Sequence, residues 1–134
     1  MRLHELTMAE EIYAAATREL TLRRRELAPE ISRAFDTFGK KVFAAGALLA
    51  KTKQVIAVAV AHVTQCPYCI RGHTRAALRE GASDAELMEA IWVAAELRAG
   101  GSYAHSLLAL EEMQRAVASN EQGRIGPAGE HDVG

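Results

Sequence analysis

The sequence predicts an all-α fold of about six helices. Period-2 strand patterns are absent, and the valine-rich stretches are diluted by alanine. Three prolines and several glycines divide the 134 residues into segments of helical length. A hydrophobic content of 49% in a chain of this length fits one domain with a real core.

Apolar residues at helical spacing predict the first three helices. The first covers residues 8–27, and the second covers 29–49 with Pro29 in its first turn. The third covers residues 53–65, is capped by Thr52 and is hydrophobic nearly all round. We expect such a helix to be buried on most sides, within the chain or between chains.

Capping signals predict the next two helices. Pro67 opens a fourth helix that ends at Glu80, and Gly81 takes the C′ position, where a left-handed residue is needed. Ser83 and Glu86 stand three residues apart before an apolar run. They form a capping box for a fifth helix that reaches about residue 97.

Glycines set the predicted end of the helical domain. Gly100-Gly101 is predicted to break the chain, and Ser102 to start a sixth helix that reaches about residue 117. Beyond it, apolar periodicity is lost. We therefore predict one helical domain over residues 1–118 and a flexible C-terminal tail over residues 119–134.

Charge and hydropathy exclude several classes of partner. The formal net charge is −1 and basic residues are spread along the chain, so no nucleic-acid or membrane partner is predicted. The longest apolar stretches, residues 42–50 and 55–63, are too short to span a bilayer, and the start lacks a signal-peptide core. We expect a cytoplasmic protein, where a C-x-x-C is more often catalytic or metal-binding than structural.

The candidate chemistry lies in the C-x-x-C formed by Cys66 and Cys69 at the start of the fourth helix. Backbone N–H groups at a helix start lack internal partners, and the positive end of the helix dipole lies there. A thiolate at that end is stabilised, so its pKa falls. The spacing also brings the sulfurs together across one turn, so a disulfide can form.

His73 follows Cys69 by four residues, which places its ring over the same helix face, one turn along. It can therefore accept a proton from Cys69 or pair with its thiolate. This spacing favours Cys69 as the thiol that His73 addresses directly, with Cys66 as its disulfide partner.

The cysteines allow two other interpretations. The pair could form half of a zinc site completed by His73 and a distant ligand such as His62 or His105, or it could be two incidental buried cysteines. Three ligands along the front of one helix close a tetrahedron poorly. We therefore favour a redox dithiol and expect no bound metal or cofactor.

Two stretches carry a family resemblance. These are residues 51–60 (KTKQVIAVAV) and residues 66–78 (CPYCIRGHTRAAL), the latter followed by Gly81-Ala82-Ser83. The sequence resembles the alkylhydroperoxidase D / carboxymuconolactone decarboxylase family, with a core over residues 48–113. Residues 1–47 and the tail add nothing diagnostic.

That resemblance implies an all-helical domain assembled as a trimer or hexamer. It implies a peroxidase, an antioxidant oxidoreductase in which Cys66 and Cys69 reduce a small hydroperoxide and end as a disulfide, with His73 as their proton acceptor. A thiol electron-donor protein, of dihydrolipoyl or thioredoxin type, is then needed to restore the thiols. The cysteines argue against the decarboxylase branch of the family.

One residue departs from the family pattern. Gln54 occupies the position, twelve residues before Cys66, where peroxidase members usually carry a glutamate. An amide cannot accept a proton at neutral pH, although it can orient the histidine or a water. No acidic residue lies between Lys40 and Arg79, so a replacement carboxylate would have to come from Glu96 or another subunit.

Two further residues are candidates for supporting roles. His62 lies in the apolar third helix, where a hydrogen bond to a backbone carbonyl is the favoured explanation over a role in lining the site. Tyr68, inside the C-x-x-C, is predicted to shape access to the thiols and to offer its hydroxyl to a substrate oxygen.

The sequence thus favours a thiol-dependent peroxidase, whose activity is expected to be weak because of Gln54. Two alternatives remain open. One is a redox sensor that forms the disulfide readily but turns over slowly. The other is a lyase of the carboxymuconolactone decarboxylase type, whose activity would survive alkylation of both thiols.

Overall fold

The computed structural model describes residues 12–124, and the chain in that range is helical with no strand. Five helices are complete within it: α1 (Arg18–Leu27), α2 (Pro29–Phe43), α3 (Ala50–Thr64), α4 (Pro67–Arg79) and α5 (Asp84–Arg124). The prediction of an all-α fold is confirmed. None of these helices is long and apolar enough to cross a membrane.

The predicted break at Gly100-Gly101 is wrong. Residues 84–124 form one continuous helix of 41 residues, so the predicted fifth and sixth helices are joined. Glycine costs about 1 kcal/mol relative to alanine inside a helix but does not forbid helical geometry. Ser102 does not start a new helix. Its hydroxyl donates to the Arg98 carbonyl, one turn back in the same helix, at 3.4 Å.

Helix α5 also runs past the predicted end of the domain. Its last residues, 119–124, belong to the segment predicted as a tail, and residues 125–134 lie outside the described range. The start of the first predicted helix, residues 8–11, also lies outside it. Residues 13–17 are not helical, and α1 begins after Thr17, whose hydroxyl accepts the Leu20 N–H at 3.2 Å.

The second predicted helix ends early, at Phe43 rather than at residue 49. The Lys53 ammonium donates to the carbonyls of Val42 at 2.8 Å and of Ala44 at 2.6 Å, so it satisfies the end of α2. Helix α3 then begins at Ala50 with Leu49 in the N-cap position, and Thr52 is not its cap.

The predicted caps of α4 and α5 are confirmed. Cys66 is the N-cap of α4 and Pro67 its first residue, and Gly81 beyond its C-cap has φ of 90°. The Ala82 and Gly81 N–H groups donate to the Ala77 and Leu78 carbonyls, which is a Schellman motif. The Ser83 N–H donates to Glu86 Oε2 at 2.7 Å, and the Glu86 N–H donates to Ser83 Oγ at 3.1 Å.

The core lies where α3 packs against α4 and against the first half of α5. Alanine dominates it, which lets the helix backbones approach closely. The buried side chains are those of Val58, Ala61, Ala77, Ala82, Leu87 and Ala94. Helix α2 meets this unit mainly through its C-terminal end, and residues 101–124 of α5 are exposed throughout.

Candidate dithiol site

A tight junction between α3 and α4 positions the C-x-x-C. Gln65 adopts the left-handed conformation, with φ 55° and ψ 44°, and so turns the chain out of α3. The Cys66 N–H donates back to the Ala61 carbonyl at 3.2 Å, and Pro67 then begins α4. Cys66 is therefore held at the positive end of a 13-residue helix.

The two cysteine sulfurs lie 2.7 Å apart. Both cysteines are half-buried thiols. The Cys69 N–H donates to the Cys66 sulfur at 3.3 Å, so the N-terminal turn of α4 stabilises negative charge on Cys66 rather than on Cys69. Because the sulfurs already meet, little backbone movement is needed to bond them.

The two thiols of this pair differ in acidity. A hydrogen bond with the Cys69 thiol, assisted by the Cys69 backbone N–H, holds the pKa of the Cys66 thiol below its usual value. The same interaction, together with desolvation and the nearby charge of Cys66, raises the pKa of Cys69. The favoured singly ionised state is a Cys66 thiolate that accepts a hydrogen bond from the Cys69 thiol.

Gln54 and His73 meet across α3 and α4. His73 Nδ1 lies 2.8 Å from Gln54 Oε1, and because an amide oxygen only accepts, Nδ1 carries the proton. In the neutral ring, the lone pair is then on Nε2. The Phe43 ring, at the end of α2, lies over the imidazole with centroids 5.0 Å apart and planes inclined by 32°.

His73 and Cys69 line the same cavity of about 450 Å³. Among the described residues, no hydrogen bond joins the His73 ring to either sulfur, so the structure lacks the direct proton-transfer contact predicted between His73 and Cys69. The other lining residues are mostly apolar: Val42, Phe43, Leu48, Lys53, Ile56, Ala57, Val60, Ala61 and Thr64. A proton moving between Cys69 and His73 would need a water or a substrate atom between them.

The two supporting candidates lie away from this cavity. His62 Nδ1 lies 2.7 Å from the Val58 carbonyl, which is the backbone interaction that the sequence favoured. The Tyr68 hydroxyl donates to the Ala14 carbonyl at 2.6 Å, and its ring packs edge-on against Tyr13 at 6.2 Å. The predicted donor to substrate is therefore already engaged by the segment before α1.

No carboxylate replaces the missing glutamate within the described part of this chain. Glu96 does not line the cavity, and its carboxylate lies against its own helix beside Gly100. The same part of the chain holds no group of three or more His, Cys, Asp or Glu side chains that could bind a metal ion. Sequence reasoning missed Phe43 and Lys53, because their contacts depend on how α2 meets α3 and α4.

A family model places the chain among known proteins. The model of the carboxymuconolactone decarboxylase family matches residues 29–112. A Paracoccus denitrificans protein described as uncharacterized protein 4 in the cox locus is 64% identical over 80 residues, which is 60% of this chain and 72% of that protein.

Solved structures show the same helical fold. A Methanobacterium thermoautotrophicum protein matches 62% of this chain and 93% of its own, with 35% identity and a TM-score of 0.59. A carboxymuconolactone decarboxylase family protein from Legionella pneumophila matches 72% of this chain and 87% of its own, with 31% identity and a TM-score of 0.58. The matched model and these structures agree with the predicted resemblance: the chain belongs to the carboxymuconolactone decarboxylase family.

Proposed function

We propose that this protein is a thiol-dependent peroxidase in which Cys66 and Cys69 alternate between dithiol and disulfide. The observation that carries this function is the pair of sulfurs 2.7 Å apart at a helix N-terminus, with the pKa values of the two thiols displaced in opposite directions. Unequal thiols of this kind separate a nucleophile from a resolving partner.

The first step is attack by the Cys66 thiolate on a hydroperoxide oxygen. An S–O bond forms and the O–O bond breaks, so that Cys66 becomes a sulfenic acid and the substrate leaves as an alcohol. The departing alkoxide takes the proton of the Cys69 thiol, which lies beside the reacting sulfur. Cys69 is thereby converted to a thiolate where it is needed for the next step.

The second step forms the disulfide. The Cys69 thiolate attacks the Cys66 sulfur, the S–O bond breaks, and hydroxide leaves as water with the proton that Cys66 lost on ionising. Nε2 of His73 can hold that proton between the two steps. A dithiol donor then reduces the disulfide, passing two electrons and two protons to the cysteines.

Gln54 sets the limits of this proton transfer. Its amide oxygen fixes the His73 tautomer that leaves Nε2 free, but an amide supplies no negative charge to stabilise an imidazolium. We therefore infer that the proton transfer lacks the charge stabilisation that a carboxylate at residue 54 would supply, and that turnover is slow.

A peroxide-reduction assay with dithiothreitol as reductant tests this function. Cys66→Ser and Cys69→Ser should each abolish dithiol turnover of cumene hydroperoxide, and His73→Ala should slow it by about 100-fold. His105→Ala, which removes an exposed histidine of α5, is the matched control and should leave the rate unchanged. Full activity in either cysteine variant would contradict the two-cysteine mechanism.

Gln54 also favours a second candidate, a redox sensor on the same fold. In that case peroxide would form the disulfide once, with little turnover even under excess reductant, and oxidation would alter assembly or a partner contact. A lyase of the type that names the family would instead keep its activity after both thiols are alkylated.

We also infer that the protein works as a homo-oligomer. The aromatic side chains of Phe35, Trp92 and Tyr103 are 71%, 69% and 82% exposed in the single chain. Exposed apolar faces of this extent are typical of subunit interfaces. A trimer or hexamer, as the family resemblance implies, would cover them.

A further inference from the structure

The outer face of α4 carries three arginines in one line. Arg71, Arg75 and Arg79 are spaced four residues apart, and all three are exposed. On an α-helix this spacing places them on one face, along about 12 Å of the axis. We call these three residues the arginine stripe.

The arginine stripe has no acidic partner among residues 12–124, where no carboxylate lies within 4.0 Å of the three guanidinium groups. Some basic residues elsewhere in that range do have acidic partners, as Arg25 has Asp36 and Lys51 has Glu86. Residues 40–79 contain seven Lys and Arg and no Asp or Glu. The stripe therefore presents uncompensated positive charge to solvent.

The stripe begins close to the dithiol. Cys66 is the N-cap of the same helix, and Arg71 follows it by about 7.5 Å along the axis. Helical spacing places the stripe on the side of α4 away from Cys69 and His73, which line the apolar cavity. A macromolecule on the stripe would therefore leave the cavity open to a small hydroperoxide.

Other faces of the described chain suit subunit assembly. Interface cores are mostly apolar, and α2 and α5 offer exposed apolar side chains for such contacts. Unpaired guanidinium groups instead suit carboxylates, which they bind in bidentate fashion.

We propose that the arginine stripe docks an acidic dithiol protein that reduces the Cys66–Cys69 disulfide. This role rests on the proposed function, since it supplies the reductant that the peroxidase cycle consumes. A donor thiolate bonds to one cysteine sulfur as the Cys66–Cys69 bond breaks, and the second donor thiol then displaces that cysteine. The donor is oxidised to a disulfide, and its two protons restore both thiols.

A protein fits the stripe better than a nucleic acid does. Strong duplex binding can involve about 6–10 phosphate contacts, whereas the stripe offers three cations on a single helix. A donor with acidic residues near its dithiol would match a line of three cations that begins near Cys66. Such charges mainly accelerate encounter, so their effect should fade as salt is added.

Reduction kinetics of the oxidised full-length protein test this docking role. The probe is a reduced lipoyl domain with net negative charge, and dithiothreitol is the uncharged comparison. The triple variant Arg71→Gln/Arg75→Gln/Arg79→Gln should react about 10-fold more slowly with the lipoyl domain at low salt. The difference should shrink below about twofold at 0.5 M NaCl, where exposed charges are screened.

Control variants separate docking from a general charge effect. Arg115→Gln removes a cation that is already paired with Glu111 and Glu112, and it should change the rate less than about twofold. Replacing the three stripe residues by lysine should restore most of the rate, because encounter is accelerated by positive charge, which lysine also supplies. Reduction by dithiothreitol should be the same in all variants.

Failure of the docking role is distinguishable from failure of the peroxidase. Equal rates for wild type and the glutamine triple variant at low salt, with normal dithiothreitol turnover, would overturn the docking role alone. If the glutamine triple variant lost a binding to duplex DNA that the wild type shows, while its rate with the lipoyl domain stayed unchanged, the stripe would be a polyanion site. That result would overturn the docking role. Absence of hydroperoxide turnover with dithiothreitol in the wild type would overturn the peroxidase itself.

Discussion

Two regions of this molecule differ in how much of their packing a single chain supplies. In the inner unit, formed by α3, α4 and the first half of α5, Val58 and Ala77 are fully buried. In the outer region, formed by α2 and residues 101–124 of α5, large apolar side chains face solvent. The dithiol, its helix N-terminus and the His73–Gln54 pair all belong to the inner unit.

The difference shows which properties depend on one chain and which on several. The hydrogen bonds that displace the thiol pKa values lie within α4, so the reactivity of Cys66 should survive changes in assembly. The core is small, however, since only six apolar side chains of the described residues are buried. We therefore expect the outer region to contribute stability through contacts between copies.

The largest expected effect follows from a change in the outer region. Phe35→Ser should weaken self-association about 100-fold, since buried aromatic anchors dominate interface energies. Light scattering over a dilution series measures the mass. Thr37→Ala, on another face of α2, is the matched control. An unchanged mass in Phe35→Ser would show that α2 is not an interface.

A smaller effect is expected from truncating the inner core. Val58→Ala should lower the free energy of unfolding by about 2 kcal/mol, because it removes two buried carbon atoms and leaves a void. Urea denaturation at fixed protein concentration measures this. Val60→Ala makes the same change at a half-exposed position of α3 and should cost clearly less. Equal losses in the two variants would mean that assembly buries both positions alike.

Introducing a carboxylate at residue 54 should affect only the chemistry of the inner unit. Gln54→Glu places a negative charge against His73 Nδ1, which stabilises the imidazolium. Peroxide turnover with dithiothreitol should then rise by about 10-fold, the lower range of general-base effects. Gln114→Glu adds the same charge on the distal part of α5 and should have no effect. If neither variant nor the wild type turns over, the sensor alternative is favoured.

The smallest expected effect is a displacement of a pH profile. Cys69→Ala removes the thiol whose hydrogen bond lowers the pKa of Cys66. A lowered pKa keeps Cys66 ionised to lower pH, so losing its cause should move the midpoint of iodoacetamide alkylation to higher pH. Mass spectrometry of the Cys66 peptide measures this midpoint. If the midpoint did not move, the backbone N–H groups at the start of α4 would be the sole cause of the lowered pKa of Cys66.

Local signals explain what the sequence predicted well. The position of Cys66 at a helix start, Gly81 beyond the helix end and the Ser83–Glu86 capping box depend on residues three to five apart. Chemistry at that range is encoded in short patterns.

Features set by distant contacts or by weak preferences were missed. The end of α2 depends on Lys53, which reaches back to the Val42 and Ala44 carbonyls. The Tyr68 hydroxyl is engaged by Ala14, 54 residues earlier in the chain. At Gly100-Gly101 the glycines lower helix stability by a modest amount, and the strong helix formers on either side outweigh them.

The sequence and the structure favour different cysteines as the more reactive thiol of the proposed dithiol. Helical spacing pointed to Cys69 as the partner of His73, because it considers only which residues share a face. In the structure the N-terminal backbone of α4 and the neighbouring thiol favour charge on Cys66. The direction of the hydrogen bonds at the helix end, which depends on the cap geometry, determines which of the two thiols is more easily ionised.

The central claim is that Cys66 attacks the hydroperoxide and Cys69 resolves the product. Its most direct test is a single turnover of Cys69→Ser with cumene hydroperoxide, in the presence of dimedone and followed by peptide mass spectrometry. We predict a sulfenic-acid adduct on Cys66, and no adduct on Cys69 in the reciprocal Cys66→Ser variant. An adduct on Cys69 in Cys66→Ser, formed as fast as the wild type consumes peroxide, would contradict this assignment.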